Sequence, residues 1–377
     1  MKFKTYYSQK ENLTEALKEI HSKISLDFDD FDFLLMGLHP FYGVEEVNGA
    51  VESVFEGKKY VGFNALNLFS SDEIIRGVVV SVFRFEKNGK VKIFECEKLD
   101  SDNFKKTLEY LNSSTEDTHF IIASLADEDF SFFIEKLSKE LDYYPVDNII
   151  GGISSGEKIG DELRTFQYVN SKVIKNGFVI VSFENIQTYI DISLGFVPYG
   201  ITYEITKSKG NRIYEVDNGK SFVEILHRIL EGIENPKTEY LWYLPINILD
   251  DKDGYVSTLR TVERLEDECV KMFGPVRKHQ KFKLSFATKD DLIKEDKKVS
   301  KRLAKKLDGI EAAFNFSCVA REYILDDKQD LEVKSYVKNF SSDLFGFFTF
   351  GEIGPDKMYK NLKLYNETSL LCIMKEK

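Results

Sequence analysis

Apolar positions in the first 145 residues fall into helical stripes that alternate with short continuous runs. Between residues 13 and 24 they recur at helical spacing, and the run at residues 33–38 that follows is typical of a buried strand. A second stripe, at residues 130–141, repeats at i, i+3, i+4, i+7 and i+11 and ends before Pro145. The pattern predicts a mixed domain in which helices pack on a sheet.

From residue 164 to residue 216 apolar positions alternate with polar ones, which is the period of a strand with one buried face. This stretch predicts an antiparallel meander. A helix should follow, because Ser221 and Glu224 fit a capping box and precede an apolar helical face. The polar, proline-containing segment 234–237 predicts a domain boundary, with domains at residues 1–235 and 236–377.

The second domain is predicted to contain strands around one charged helix, at residues 290–307. Acidic residues lie in the first half of this helix and basic ones toward its end, so its lysine run is interpreted as a solvated face. Strands are expected at residues 240–246, 282–286, 312–316, 344–350 and 370–374. The predicted fold class is α+β, with two domains whose largely antiparallel or mixed β-sheets are flanked by helices.

Charge and composition exclude several kinds of protein. The chain has 52 Lys and Arg against 63 Asp and Glu, a net charge of −11, which argues against a nucleic-acid partner. Its four cysteines and five histidines show neither zinc nor disulfide spacing, so no metal and no cofactor are expected. The N-terminus lacks a signal peptide, and no apolar run approaches the ~18 residues of a spanning helix. We expect a cytoplasmic protein without membrane insertion.

The negative charge is unevenly distributed along the chain. Residues before Lys237 include 26 basic and 39 acidic side chains, whereas those from Lys237 onward include 26 and 24. A site for an anionic group is therefore expected in the second part of the chain.

Residues 152–156 match G-x-S-x-G, a motif that presents a nucleophilic serine on a strand-to-helix turn. The match is weak, because the polar residues after Gly156 have no helical period and no histidine is marked as a base. Glu157 also stands where a phosphate-binding loop needs lysine. Gly151 and Gly152 instead indicate close approach of the backbone to another strand or to a ligand. Together with Ser154 they form a second candidate site.

The most informative polar residues lie at the ends of the predicted C-terminal strands. They are Cys318, Arg321, Gly351, Glu352, Asn366 and Thr368. If the strand ends converge, these residues place a guanidinium, a carboxylate, an amide and a thiol beside phenylalanine side chains. A small zwitterion requires such a set, with an arginine for its carboxylate and an acid for its ammonium group. The sequence thus predicts a small polar ligand at this site.

Arg321 also bears on the reactivity of Cys318, since a guanidinium near a thiol lowers the pKa of that thiol. The two residues between them exclude the tyrosine-phosphatase loop, which has five. The alternative role is structural: an ion pair between Arg321 and Glu352 ties two loops together, and Cys318 is a small buried apolar residue. Composition does not decide between the two interpretations.

At these positions the sequence resembles the FIST family. The segments similar to its N-terminal half are 149–152 (IIGG), 193–200 (SLGFVPYG), 205–207 (ITK) and 213–216 (IYEV). Those similar to its C-terminal half are 316–321 (FSCVAR), 346–355 (GFFTFGEIGP) and 366–368 (NET). The resemblance implies a sensory module of intracellular signal transduction, proposed to bind small ligands such as amino acids, without an established reaction. Two residues depart from the family pattern. Ala320 stands where the family usually has a small residue, often Gly, and Tyr365 stands where His is common.

Binding rather than turnover is the primary hypothesis. We expect a sensory protein that binds a small polar ligand, such as an amino acid or a similar zwitterion, and signals through a separate protein. One rival is a thiol-dependent enzyme with Cys318 as nucleophile, for which no base is identified because Tyr365 replaces the nearest expected imidazole. Another rival is a ligand-free interaction scaffold.

Overall fold

The computed structural model describes residues 1–124, 128–145, 147–159, 162–233, 237–249, 256–356 and 361–377. Eight α-helices lie within these ranges. They are α1 (Leu13–Asp27), α2 (Val44–Val54), α3 (Ser101–Asn112), α4 (Glu128–Glu140), α5 (Phe222–Ile229), α6 (Lys289–Ala304), α7 (Val319–Leu325) and α8 (Gln329–Phe340). The two longest predicted stripes correspond to α1 and α4, and the charged helix corresponds to α6.

The strands are short and numerous. Those of the first half are β1 (Lys2–Ser8), β2 (Phe33–Leu38), β3 (Tyr60–Asn64), β4 (Leu68–Ser70), β5 (Glu73–Ile75), β6 (Val78–Arg84), β7 (Lys90–Cys96), β8 (Thr118–Ala123), β9 (Ile149–Ile153), β10 (Glu157–Ile159), β11 (Glu162–Arg164), β12 (Gln167–Val169), β13 (Lys172–Ile174) and β14 (Phe178–Glu184). Those of the second half are β15 (Ile186–Ser193), β16 (Val197–Lys209), β17 (Arg212–Val216), β18 (Lys220–Ser221), β19 (Ile246–Leu249), β20 (Val256–Arg260), β21 (Val262–Leu265), β22 (Val270–Met272), β23 (Lys281–Phe286), β24 (Ala312–Cys318), β25 (Leu344–Thr349), β26 (Glu352–Asp356), β27 (Asn361–Tyr365) and β28 (Ser369–Glu376).

Three six-stranded sheets form the body of the protein. The first sheet has the order β1-β6-β2-β3-β12-β13, the second β27-β26-β9-β8-β14-β7, and the third β15-β28-β24-β25-β4-β5. Each contains one parallel pair, namely β2 with β3, β8 with β9, and β24 with β25, among antiparallel neighbours. A fourth, antiparallel sheet has the order β20-β19-β23-β16-β17-β22-β21, with β18 beside β17.

The three mixed sheets share one apolar core, and helices cover their other faces. Phenylalanine rings from different sheets meet in this core: the centroids of Phe120 and Phe314 lie 4.7 Å apart, and those of Phe63 and Phe347 4.5 Å apart. Helices α1 and α2 pack on the first sheet, α3 and α4 on the second, and α6 and α8 on the third. This arrangement confirms the predicted α+β class with mixed and antiparallel sheets flanked by helices.

Strands from both sides of the predicted domain boundary pair within the same sheets. In the second sheet β26 pairs with β9, and in the third β28 pairs with β15. The two-domain division stays a prediction, and residues 234–236, where the boundary was placed, lie outside the described residues.

The predicted meander is confirmed in two hairpins, β12 with β13 and β16 with β17, and is wrong in its other pairings, because β14 joins β7 and β8 while β15 joins β28. A period of two reveals one buried face of a strand but not its neighbours.

Candidate functional site

The carboxyl ends of two parallel strand pairs meet where the second and third sheets adjoin. β24 and β25 end at Cys318 and Thr349, and β9 ends at Ile153. Next to them β26 begins at Glu352, which pairs with Gly152 of β9. Carboxyl ends of parallel strands are common positions for ligand sites, because the chain leaves the sheet there and exposes polar groups.

Glu352 is fully buried and is held by two threonines. Its Oε1 accepts a hydrogen bond from Thr349 Oγ1 at 2.5 Å. Its Oε2 accepts from Thr368 Oγ1 at 2.8 Å and from the Thr368 backbone N–H at 3.3 Å. Burial raises the pKa of Glu352 to about 8, although the threonine hydrogen bonds act in the opposite direction. The carboxyl group is therefore largely protonated at neutral pH in the ligand-free protein.

Glu367 is a second buried carboxyl group at the same place, and sequence reasoning missed it. Its Oε1 accepts a hydrogen bond from Thr261 Oγ1 at 2.9 Å, and its Oε2 has no partner among the described residues. The Oδ1 of neighbouring Asn366 also lacks a partner there. Burial, followed by repulsion from Glu352, raises the pKa of Glu367 to about 8. The sequence did contain a signal for Glu367, because it lies between two candidate site residues, Asn366 and Thr368.

Arg321 is also fully buried, but its guanidinium binds other carboxylates. Nη2 lies 2.9 and 3.0 Å from the two carboxylate oxygens of Asp296 on α6, and Nε lies 3.6 Å from Glu332 Oε1 on α8. The structure does not form the ion pair between Arg321 and Glu352 that the structural alternative assumed. The guanidinium is held mainly by Asp296, while its Nε forms no hydrogen bond among the described residues. The role of Arg321 as an anchor for a ligand carboxylate stays a prediction.

Asp296 shows why the sequence did not reveal this network. It accepts hydrogen bonds from Ser193 Oγ at 2.6 Å and Tyr336 Oη at 2.7 Å, in addition to those from Arg321. Its position, four residues after Leu292 and three before Val299, is on the apolar stripe of α6. An acid on a buried stripe indicates a buried partner, whereas the charge sorting of this helix pointed to solvent.

Cys318 lies between these two groups of acids. It is 5% exposed, and its backbone N–H donates to the Thr368 carbonyl at 2.9 Å. Burial raises the pKa of the thiol well above its usual value, and the nearby Glu352 and Glu367 raise it further. The expectation that Arg321 activates this thiol is therefore wrong: the charge of Arg321 is balanced by Asp296 and Glu332.

The second candidate site joins the first through its glycines. A Cβ on Gly152 would lie 2.6 Å from Thr349 Cγ2, and one on Gly151 would lie 1.9 Å from the Ile121 carbonyl oxygen, so both positions require glycine. The Ser154 hydroxyl is buried and accepts a hydrogen bond from Gln167 Nε2 at 3.2 Å. Strand β10, not a helix, follows this segment, and so a nucleophile elbow does not form.

Gly351 links the strand ends of the site. Its N–H donates to Thr349 Oγ1 at 3.3 Å, and its carbonyl accepts from the Ile153 N–H at 2.9 Å. The same threonine hydroxyl thus contacts both Gly351 and Glu352.

The site is closed to solvent. Its polar residues are between 0 and 5% exposed, and none of them lines any of five cavities, of about 240 to 720 Å³, in the described part of the chain. The cover is the turn from β20 to β21, where Thr261 bonds Glu367 and Arg260 Nη1 donates to the Leu364 carbonyl at 2.9 Å.

These features define an α+β protein whose two sequence halves share mixed β-sheets and enclose a cluster of buried carboxyl groups. The chain belongs to the FIST family: the FIST N domain matches residues 32–219 and the FIST C domain residues 223–355. The second match includes Cys318 and Glu352 but ends before Asn366 and Glu367. FIST domains are associated with sensors of signal transduction.

A relative from Aquifex aeolicus (strain VF5) is similar over most of its length. It is described as an uncharacterized protein and is 34% identical over 265 residues, which cover 67% of this chain and 97% of the relative. The described part of the chain contains no helix with both the length and the apolar composition needed to cross a membrane.

Proposed function

We propose that this chain is the ligand-binding module of a signal-transduction sensor, and that Glu352 and Glu367 bind a positively charged donor group of its ligand. The observation that carries the proposal is the pair of buried acceptors without partners, Glu367 Oε2 and Asn366 Oδ1. Buried polar atoms in native proteins usually have hydrogen-bond partners. Two unpaired acceptors beside two carboxyl groups favour a ligand that donates several hydrogen bonds.

The charge balance supports an ammonium or a similar cation. Four acids are buried in this region, and the only guanidinium among them, that of Arg321, is shared by Asp296 and Glu332. Glu352 and Glu367 therefore have no cationic side chain of their own in hydrogen-bonding contact among the described residues. A ligand ammonium would supply that charge and form charge-assisted hydrogen bonds with both carboxylates.

An amino acid or similar zwitterion remains the candidate ligand, with a different orientation from the one the sequence indicated. The ammonium group would face Glu352 and Glu367, while the carboxylate would not face Arg321. The high pKa of Cys318 favours binding over thiol catalysis. A separate protein would receive the signal.

A thermal-shift screen followed by calorimetry tests the proposal. The panel consists of amino acids, the amines that lack their carboxylates, and the acids that lack their amines. We expect stabilisers among the amino acids or amines, with ~2.7 kcal/mol of stabilisation at 100 times the dissociation constant. Glu367→Gln should weaken binding at least about tenfold.

Glu109→Gln, an exposed change on α3 with the same charge difference, is the control and should bind normally. A panel in which only the carboxylic acids stabilise the protein, or in which Glu367→Gln binds as tightly as the native chain, would contradict the proposal.

A further inference from the structure

A narrow polar cleft lies between α4 and the fourth sheet, and neither Glu352 nor Glu367 lines it, although Arg260 of the covering turn does. Its volume is about 240 Å³. One wall is the α4 face with Glu135 and Lys139, and the other contains Arg260 at the end of β20 and Arg277 in the loop before β23. Lys363 of β27 lies at its base.

Arg260 is buried like Arg321, but it donates its hydrogen bonds to backbone carbonyls rather than to carboxylates. Its Nε donates to the Pro275 carbonyl at 3.3 Å, and its Nη1 donates to the carbonyls of Leu259 at 3.1 Å and Leu364 at 2.9 Å. Among the described residues no carboxylate lies within ion-pair distance of it, although the side chain is only 6% exposed. Burial lowers the pKa of Arg260 to about 10, although the nearby Glu135 acts in the opposite direction.

The rim of the cleft is also positively charged. Four of its lining residues are basic and one, Glu135, is acidic. Glu135 is already paired with Arg277, and Lys363 lies 2.7 Å from Asp356. The cleft therefore has an excess of positive charge in a protein whose net charge is −11.

We propose that this cleft binds a small anionic group, a carboxylate or a phosphate, with Arg260 as the buried anchor and Lys139 and Arg277 at the entrance. Guanidinium N–H groups form charge-assisted hydrogen bonds with such anions, and the two N–H groups of Arg260 Nη2 form no hydrogen bond among the described residues. The volume equals about eight waters at ~30 Å³ each, enough for one phosphate or one short dicarboxylate. This site is separate from the one at Glu352 and does not depend on the function proposed for it.

The competing account is that Arg260 is only a clamp, which joins three backbone carbonyls and needs no ligand. Both accounts predict that removing the side chain destabilises the fold. Only the binding account predicts that an anion stabilises the protein saturably. It also predicts that the anion binds more weakly when an entrance residue, Lys139 or Arg277, loses its charge. The rim residues are exposed, so their substitution tests the site without disturbing the core.

Calorimetry and thermal shift with inorganic phosphate and with succinate, at constant ionic strength set with chloride, distinguish the two anion classes. We expect at least one of the two anions, phosphate or succinate, to bind saturably. Lys139→Gln and Arg277→Gln should each weaken it about threefold or more, because each removes a charge near the anion. Arg260→Lys, which keeps the charge but not the planar donor geometry, should weaken it about tenfold.

Lys106→Gln on α3 matches the charge change at an exposed position away from the cleft and should bind like the native chain. Stabilisation that does not saturate with either phosphate or succinate would be a general salt effect. The same holds for stabilisation that is equal in the native chain and in the variants at Lys139, Arg277 and Arg260. Either result would overturn the proposal and leave Arg260 as a clamp.

Discussion

The two buried carboxyl groups make a specific prediction about stability and pH. The pKa of Glu367 is about 8 in the folded protein and 4.5 in a model peptide. Between these values the folded state holds a proton that the unfolded state has lost, so the stability contributed by this group falls as the pH rises. Glu367→Gln removes this titration and can still accept the Thr261 hydrogen bond. The variant should therefore gain stability relative to the native chain as the pH increases.

The size of the effect follows from linkage. One proton difference changes the unfolding free energy by about 1.4 kcal/mol for each pH unit, which gives roughly 2–3 kcal/mol between pH 5.5 and pH 7.5. Unfolding entropy is roughly 2 cal/mol/K per residue, so 377 residues correspond to about 0.8 kcal/mol per degree. The Tm of Glu367→Gln minus that of the native chain should rise by about 3 °C over this range.

Scanning calorimetry of ligand-free protein at several pH values measures the difference directly. Titrating groups that the two proteins share cancel in the comparison, and Glu109→Gln should show no pH-dependent difference. Parallel pH profiles for Glu367→Gln and the native chain would refute the reasoning, because they would show that Glu367 does not hold an extra proton when folded.

Three further outcomes are expected. Peptide mapping after iodoacetamide treatment of the native protein should find Cys318 slowly labelled, because the thiol is buried and protonated; rapid labelling would contradict its burial. Chemical denaturation should show that Arg321→Gln costs about 3–5 kcal/mol, since it leaves buried acids unpaired, against about 1 kcal/mol or less for Arg84→Gln at the exposed pairs with Asp30 and Asp32. Ammonium binding should strengthen by up to about tenfold per pH unit between pH 6 and 8, as Glu352 and Glu367 ionise; constant affinity would exclude ionised acids as partners.

The sequence was informative about individual elements and much less about their pairing. The stripes at residues 13–24 and 130–141 fall within α1 and almost wholly within α4, because helical periodicity is local. Sheet neighbours are set by tertiary packing. β9 and β26, for example, are nearly two hundred residues apart in the chain, and no local pattern marks them as partners.

The candidate site shows the same limit. Strand ends that carry Cys318, Glu352 and Thr368 come together, as expected if the last strands share one edge. The partners of Arg321 could not be chosen from spacing alone, since Asp296 and Glu332 lie on helices whose orientation depends on the third sheet. Burial also reversed the expected direction of the pKa of Cys318, and burial is not visible in a motif.

The interleaving of early and late strands affects how the chain matures during synthesis. Strand β15 has β28 as its neighbour, and β28 ends at Glu376, so this edge of the third sheet stays open until the chain has been synthesised through Glu376. Strand β4 likewise cannot pair with β25 until more than 270 further residues have been synthesised. Apolar strands of the nascent protein thus remain uncovered over long stretches of synthesis, a state prone to aggregation and suited to chaperone binding.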